Sequence, residues 1–401
     1  MVCVSRIFKR FVFLLSLAIL ATLGLGFALG GFGWFGVHAS AGQDGAYRPM
    51  RVYAEVLEKI QDDYVTKPSL GDVTTGAMQG LLESLDADSS YLTPDEYKLY
   101  KERPLADPAR LGMTVSKRYG YATVVNVLPG SPADQAHLVD GDVIEAINGH
   151  STHNIAPALL RLILEGKPGT TVTLSVIRPF KPEPDNITLT RTVLAPPPLG
   201  VEEYDNSTIL YLKPGVITAA SVNAVAAQIK AAGKGRKIVL DLRDTSGSEM
   251  QQGLRLANLF IKQGALAMLT GQKFPLQTFT ADPALFLTAA PLAVLVNGGT
   301  YGAAELTAAA IKDHQRGAIV GEQTFGDASV QKTFVLPDGA ALILTVAKYE
   351  SPDGNKIEDN AVTPTVAVSQ PSAESEFHAP SSNSDEILNK ALDLLKGQST
   401  A

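Results

Sequence analysis

Cysteine is nearly absent from this chain, and no basic patch runs along it. The one cysteine, Cys3, precedes the first apolar run, so the rest of the chain has no thiol for a disulfide or a thiolate metal site. The 34 lysine and arginine residues are outnumbered by 41 acidic ones, giving a net charge of −7. We therefore expect no nucleic-acid partner, because such partners select a basic stripe or patch.

Charge is also missing from residues 11–37, a run of 27 residues that follows Arg6, Lys9 and Arg10. A helix that crosses a bilayer needs ~20 apolar residues, and flanking positive charge stays in the cytoplasm. Residues 1–41 are therefore predicted to anchor the chain in a bacterial-type inner membrane, with the body in the periplasm or outside the cell. The small residues before Ala41 also fit a cleavage site, so a secreted protein cleaved after Ala41 is the alternative.

The body of the chain is long enough for several domains, and its patterns change along its length. Apolar residues at helical spacing predict a helical lead segment over residues 45–105. Short β runs fill residues 106–195, whereas residues 199–370 alternate helix and strand, which is typical of an α/β core. Residues 371–401 are predicted to be a flexible tail ending in a short helix. The fold class expected is a multidomain combination of α/β and α+β.

The β-rich region contains three motifs, LPGSPAD at 128–134, GDVI at 141–144 and ING at 147–149. Together they resemble a PDZ domain of the bacterial protease type. PDZ domains add an extended peptide to a sheet edge and hold its terminal carboxylate with backbone N–H groups. The resemblance implies a peptide site formed by Leu111, Gly112, Met113, Thr114 and Leu159. Core packing is the alternative role for the apolar positions, and a spacer without ligand is the alternative for the whole module.

Four segments of the α/β region resemble the carboxyl-terminal processing peptidases, which are serine peptidases of family S41. They are IVLDLR at 238–243, VLVN at 294–297, VGEQTFG at 320–326 and the segment 349–364. The stretch SSYLTPDEY at 89–97 also resembles that family, and its Thr93 and Pro94 predict the start of a helix. The resemblance implies the fold of an endopeptidase that cuts near protein C termini and needs no cofactor or metal.

The catalytic positions of this family are altered here. Family members carry a nucleophilic serine in a GSASASE segment, a lysine 25 residues later and a glutamine four residues beyond it. Alignment on Glu305 assigns Gly302 to the serine and Asp327 to the lysine, and these two are 25 residues apart. Gln331 is retained. A glycine has no nucleophile and a carboxylate is a weak base, so we predict a proteolytically inactive protein.

The oxyanion region is altered as well. The family turn NNPGG is here Asp244 to Ser248; Gly247 is retained in it, and Ala303 follows the nucleophile position. Thr300 and Tyr301 precede that position and are expected to point elsewhere.

Two functions follow from these residues. The first is a membrane-tethered pseudoprotease that binds protein C-terminal or unfolded tails, or that partners an active homologous peptidase. The alternative is an active serine-type endopeptidase that uses Ser329, Ser246 or Thr300 as an atypical nucleophile.

Overall fold

The computed structural model describes residues 44–102, 109–178, 181, 183–233, 235–369 and 385–397. The predicted anchor in residues 1–41 and most of the predicted tail lie outside these ranges. Over the described ranges, no helix has both the length and the apolar character needed to cross a bilayer. The chain divides into two compact units, and the boundary falls between Val73 and Thr74.

The described residues of the first unit contain one amphipathic helix, α1 (Asp44–Asp63), and the start of α2 (Leu70–Glu83). The sequence predicted a helical lead segment over residues 45–105; α1 begins one residue before it and α2 lies within it. Val52 and Val56 lie on α1 and are 55% and 49% exposed.

The second unit begins with the rest of α2, a short strand β1 (Ser90–Leu92) and a helix α3 (Pro94–Lys101). The predicted start of α3 is confirmed: Thr93 caps the helix, and its side chain and backbone exchange hydrogen bonds with Glu96. This capping box fixes the point at which the chain turns from strand to helix.

The β-rich module is a mostly antiparallel sheet with two short helices. Its strands are β2 (Met113–Tyr119), β3 (Tyr121–Val127), β4 (Val143–Ile147), β5 (His150–Ser151), β6 (Thr171–Ile177) and β7 (Asp185–Thr190); its helices are α4 (Pro132–Gln135) and α5 (Pro157–Leu164). The sheet order is β2-β3-β4-β6-β7, with β5 paired to β4. Asn148 and Gly149 form the two-residue turn of the β4–β5 hairpin, both with positive φ, as their sequence predicts.

The core of the second unit is a six-stranded sheet, parallel except at one edge. Its strands are β8 (Gly200–Tyr204), β9 (Ile209–Lys213), β10 (Lys237–Asp241), β13 (Leu292–Val296), β14 (Ala318–Gly321) and β17 (Val366–Ala367). Three helices cover one face: α6 (Ala219–Ala232), α7 (Met250–Asn258) and α8 (Ala303–Asp313). The C-terminal helix α10 (Glu386–Lys396) covers the other face, so both faces are buried.

A second, antiparallel sheet packs beside these helices. It contains β1, β11 (Ala265–Gly271), β12 (Phe274–Thr280), β15 (Ser329–Val335) and β16 (Ala341–Glu350), and a short helix α9 (Ile357–Asn360) follows it. Leu269 on β11 and Tyr349 on β16 join the core that α8 also lines. Sequence patterns did not predict this sheet.

An ion-pair network joins the end of β10 to the start of α10. The Arg243 guanidinium donates to the buried carboxylate of Asp241 at 2.7 Å and to the carboxylate of Asp385 at 2.8 Å. Tyr211 donates its hydroxyl to Asp241 at 2.6 Å. Because Arg243 immediately precedes the turn at Asp244, this network fixes the end of the strand from which the oxyanion turn begins.

Candidate active site and peptide-binding loop

The turn at the predicted nucleophile position joins β13 to α8 and passes through Gly302. Gly302 is the N-cap of α8 and has φ 63° and ψ −118°, a conformation that residues with a Cβ rarely adopt. A Cβ at this position would lie 2.5 Å from the carbonyl oxygen of Gly247. The turn has the sharp strand-to-helix geometry that exposes a nucleophile in hydrolases, but glycine supplies no reactive atom there.

The predicted oxyanion residues Gly247 and Ala303 lie together, but their backbone groups already form a hydrogen bond with each other. The backbone N–H of Ala303 donates to the Gly247 carbonyl oxygen at 2.9 Å. An oxyanion hole needs this kind of N–H to point at the position that the substrate oxygen will occupy. A protein carbonyl fills that position here, so the donor is not free for a substrate.

Two further backbone hydrogen bonds hold the segment around Gly247 in this orientation. The N–H of Tyr301 donates to the Thr245 carbonyl at 3.0 Å, and the N–H of Ile217 donates to the Ser246 carbonyl at 2.7 Å. Turning the Gly247 carbonyl away from Ala303 would disturb a segment that is bonded on both sides. The obstruction therefore belongs to the packed structure of the turn.

Asp327 lies at the predicted base position, and its carboxylate accepts a hydrogen bond from the hydroxyl of Tyr301. Burial, reinforced by the negative charge of Asp327, raises the pKa of Tyr301 well above its ordinary value, so this phenol stays a donor. The expectation that Tyr301 points elsewhere is wrong. Thr300 does point away, since its hydroxyl donates to the carbonyl of Leu242 at 2.9 Å.

Glu305 is fully buried and ties the nucleophile turn to the segment that carries Asp327. Its carboxylate accepts from the backbone N–H groups of Gly302 at 3.0 Å, Gly326 at 2.6 Å and Asp327 at 2.9 Å, and from the Thr324 hydroxyl at 2.5 Å. Burial raises the pKa of Glu305 to about 7, although these hydrogen bonds oppose the shift. In the sequence analysis, Glu305 served only to align the motif. Its position three residues after the helix N-cap was the signal that its carboxylate would bond to the turn.

Three carboxylates converge beside this turn. Oxygen atoms of Asp88, Asp327 and Glu358, all half-buried, lie within 4.8 Å of one another. Glu358 also accepts from the backbone N–H of Ala328 at 2.9 Å. Many proteins have such clusters of acidic groups without binding a metal ion. The expectation that this protein needs no metal stays a prediction.

Strand β15 carries the other residues that the sequence assigned to the site. Gln331 is exposed and follows an irregularity in the pairing of β15 with β16. Ser329 is half-buried and lies directly opposite Lys348 of β16. Side chains that are opposite each other on neighbouring strands share one face of the sheet.

A cavity of about 870 Å³ lies between the β-rich module, the end of α2 and the core. Lys348 and Glu358 line it from the core side, and Lys117 lines it from β2. The Lys117 ammonium donates to Glu83 at 3.0 Å and to the carbonyls of His153 at 2.8 Å and Ile155 at 3.0 Å. These bonds connect α2 to the β-rich module along one side of the cavity.

The loop predicted to hold a peptide carboxylate precedes β2, which lies at one end of the strand order of its sheet. Gly112 has φ 82°, and a Cβ there would lie 2.1 Å from the Cβ of Ser131, so only glycine fits. Leu111 is buried in the core of the module, and Met113 and Thr114 begin β2. Peptide addition to this edge strand stays a prediction.

Leu159, the fifth predicted peptide-binding residue, lies on α5 and is 8% exposed. It packs in a cluster with Leu92 of β1, Ala156 and Ile343 of β16. This cluster joins α5 to the antiparallel sheet that contains β1 and β16, which is the packing role that the sequence left as the alternative.

Comparisons with known proteins match residues 209–368 to peptidase family S41 and residues 109–192 to the PDZ domain. The carboxyl-terminal-processing protease of Picosynechococcus sp. is 32% identical over 331 residues, which cover 80% of this chain and 78% of that protein. Its counterpart in Synechocystis sp. is 30% identical over 348 residues, covering 84% and 81% of the two chains. This chain belongs to the carboxyl-terminal processing protease family.

Among solved structures, the photosystem II D1 C-terminal processing protease has a similar fold. The two chains are 24% identical, with a TM-score of 0.64, over 80% of this chain and 93% of that one. The fold is therefore that of a C-terminal processing protease, with a PDZ domain and an S41 core. The resemblance implies serine and lysine at the positions of Gly302 and Asp327, so this family member departs from the family pattern where the reaction takes place.

Proposed function

We propose that this chain is a membrane-tethered C-terminal processing protease homologue that has lost proteolysis and binds the C-terminal or unfolded tails of other proteins. One observation carries the proposal: the Gly247 carbonyl accepts from the Ala303 N–H beside a nucleophile position that is glycine. Acyl transfer needs both an activated hydroxyl and a free donor for the oxyanion. The hydroxyl is missing from position 302, and the Ala303 N–H already donates to a carbonyl.

The base side of the site supports the same proposal. A serine hydroxyl must lose its proton to a neutral base such as a desolvated lysine amine. Asp327 offers a carboxylate, and that carboxylate already accepts a hydrogen bond from Tyr301. Loss of one member of a catalytic pair costs several powers of ten in rate, and loss of the second adds little.

The binding half of the proposal rests on the PDZ domain. The glycine at position 112 lets the loop backbone pack against Ser131 directly before β2, and we infer that N–H groups of this loop hold a terminal carboxylate. The relatives are named for processing carboxyl termini, and we infer the same class of ligand here. An active homologous peptidase is the second partner that we propose, with this chain presenting tails to it.

The tether and the location rest on the sequence. The uncharged residues 11–37 follow Arg6, Lys9 and Arg10, a pattern that favours an inner-membrane anchor with the body in the periplasm or outside the cell. A reporter that is active only in the cytoplasm, fused after Ala401, is expected to be inactive. Activity of that reporter would contradict this location.

Binding and cleavage can be tested on one molecule. The full chain in detergent is incubated with a fluorescent peptide that ends in a free, apolar C terminus, and with its amidated twin. We expect the free peptide to bind more tightly, and mass spectrometry to recover it intact. Equal binding of the two peptides would contradict the tail-binding proposal, and cleaved peptide would contradict the loss of proteolysis.

One observation favours the second candidate, an active serine-type endopeptidase. Ser329 lies opposite Lys348 across β15 and β16, so a hydroxyl and an amine share one face of the sheet near the cavity. If these residues formed a substitute catalytic pair, the wild type would cleave the peptide and the Ser329→Ala variant would not. Cleavage that survives Ser329→Ala, or no cleavage by either protein, would remove this candidate.

A further inference from the structure

The segment that precedes β2 places a cation beside the loop that is predicted to hold a tail carboxylate. Ala109 and Gly166 exchange two backbone hydrogen bonds, both of 3.0 Å. Arg110 and Thr192 exchange two more, of 2.8 and 3.0 Å. These bonds fix the backbone of Arg110 directly before Leu111, where the loop begins.

Two neighbouring N–H groups of this loop are open to a ligand. The carbonyl oxygens of Leu111 and Gly112 accept from the backbone N–H groups of Ala133 at 2.9 Å and of Leu128 at 2.7 Å. Within the ranges that the structure describes, the N–H groups of Leu111 and Gly112 donate to no protein acceptor. Gly112 has φ 82°, and consecutive N–H groups beside such a residue form a nest for an anion. The nest begins at the residue that follows Arg110.

Arg110 shares its charge with one carboxylate of the protein. Its Nε lies 3.3 Å from Oε1 of Glu165, the residue that caps the end of α5. The Glu165 side chain is 20% exposed and that of Arg110 is 60% exposed, so the domain holds the carboxylate while the guanidinium reaches into solvent. A guanidinium has several donors in a planar fork, so one contact through Nε leaves donors for a second carboxylate. Arg243 holds two carboxylates in this way, those of Asp241 and Asp385.

We propose that Arg110 binds the terminal carboxylate of the tail and that Glu165 weakens this attraction. The inference rests on the tail binding proposed above and adds the charged residue that selects a free C terminus. Without Arg110, the carboxylate of Glu165 would face the incoming carboxylate unpaired and repel it. Without Glu165, the whole charge of Arg110 would act on the ligand. The ion pair thus sets how strongly the loop prefers a free C terminus over a blocked one.

The alternative is an ion pair that only ties the end of α5 to the segment before β2. A solvent-exposed ion pair contributes little to folding, and backbone hydrogen bonds between Ala109 and Gly166 already join these segments. The two roles predict different signs. A structural pair is broken by changing either partner, so both changes act in the same direction, whereas the proposed role gives the two changes opposite effects on affinity.

The test measures the affinity of the full chain in detergent for a fluorescent peptide with a free, apolar C terminus and for its amidated twin. Arg110→Gln is expected to weaken binding of the free peptide about tenfold, through loss of a charge-assisted hydrogen bond. Glu165→Gln is expected to tighten binding of the free peptide about threefold, because a like charge is removed. Neither change should alter the affinity for the amidated peptide.

Two further variants separate a specific contact from general charge. Arg110→Lys keeps the positive charge and should retain most of the preference for the free peptide. Lys167→Gln removes a positive charge from an exposed residue just beyond α5, and as the matched control it should leave both affinities unaltered. Urea denaturation checks that each variant is folded.

Opposite shifts at positions 110 and 165, confined to the free peptide, would support the proposal. Equal weakening by Arg110→Gln and Glu165→Gln, or a free-peptide affinity that neither variant changes, would overturn it, while a wild type that prefers the free peptide would still support tail binding. A wild type that binds both peptides equally would remove tail binding itself, and with it this inference.

Discussion

Two turns of this molecule depend on a glycine with positive φ, and they differ in what surrounds that glycine. Gly112 precedes β2 with φ 82°, and its neighbour Ser131 leaves no space for a side chain. Gly302 precedes α8 with φ 63°, and the Gly247 carbonyl occupies the space where a side chain would begin. We propose that the first turn binds a ligand through backbone N–H groups, whereas the second has its Ala303 donor bonded to the protein itself.

The difference follows from the chemistry that each turn serves. A carboxylate-binding loop acts through backbone N–H groups, so substitutions nearby can leave it intact. A serine peptidase site acts through two side chains as well as the backbone, so loss of the side chains removes the reaction even when the turn keeps its shape. The following predictions test whether the two turns differ in this way.

The largest effect is expected from Gly112→Ala, with Gly149→Ala as its matched control. Both glycines have φ near 80°, but a Cβ at 149 meets nothing within 4 Å. We expect Gly149→Ala to lower the free energy of unfolding by about 1 kcal/mol through backbone strain alone. Gly112→Ala adds a clash with Ser131 and should cost about 3 kcal/mol or more, measured by urea denaturation. Equal losses would show that the loop is not packed as described.

Glu305 should make stability depend on pH. Its pKa is about 7 in the folded protein against an ordinary 4.5, so the folded state holds this proton more tightly. The stabilisation of the folded state by protonated Glu305 is therefore present below about pH 4.5 and is lost as the pH rises through about 7. Glu305→Gln removes it, so wild type minus variant in unfolding free energy should be roughly 3 kcal/mol larger at pH 4.5 than at pH 8. An unchanged difference would mean that this carboxyl titrates normally.

The contact between Tyr301 and Asp327 should contribute less. Tyr301→Phe removes the donor from a half-buried carboxylate partner and is expected to cost about 1–2 kcal/mol of stability. Adding Asp327→Ala should cost less than the sum of the two single changes, because both remove the same bond. Additive losses in this double-mutant cycle would contradict the contact.

The smallest effect is expected at Gln331. The residue is exposed on β15, and the lysine that its family counterpart orients is absent here. Gln331→Ala should change the unfolding free energy by less than about 0.5 kcal/mol and leave peptide binding unaltered. A large loss in either measurement would show a role for Gln331 that its exposed position does not explain.

The sequence predicted the parts of the fold that have strong local signals. The centre of β10, residues 238–240, and the whole of β13 are continuous apolar runs because both faces of their sheet are buried. Thr93 and Pro94 mark the start of α3. The sheet of β11, β12, β15 and β16 was missed. β15 and most of β12 are exposed, so their residues carry no clear apolar alternation. The sheet is completed only where β16 pairs with β1 and β11, which are distant in the chain.

The candidate site was predicted in its identities but not in its contacts. Motif spacing located Gly302, Asp327 and Gly247, since these depend on position along the chain. The direction of the Gly247 carbonyl depends on packing against Ala303, and the bond from Tyr301 to Asp327 joins residues 26 apart. Such contacts are set by tertiary structure, and no local pattern of residue types specifies them.

The most direct test of the account is hydrolysis of an unfolded substrate by the wild-type chain. Purified full-length protein is incubated with casein, beside an active C-terminal processing protease as positive control, with and without a fluorophosphonate. The account predicts no cleavage above a blank and no labelling of the chain, while the control protease digests the substrate. Cleavage by the wild type that the fluorophosphonate blocks would contradict it, and would show that a nucleophile other than position 302 operates in this fold.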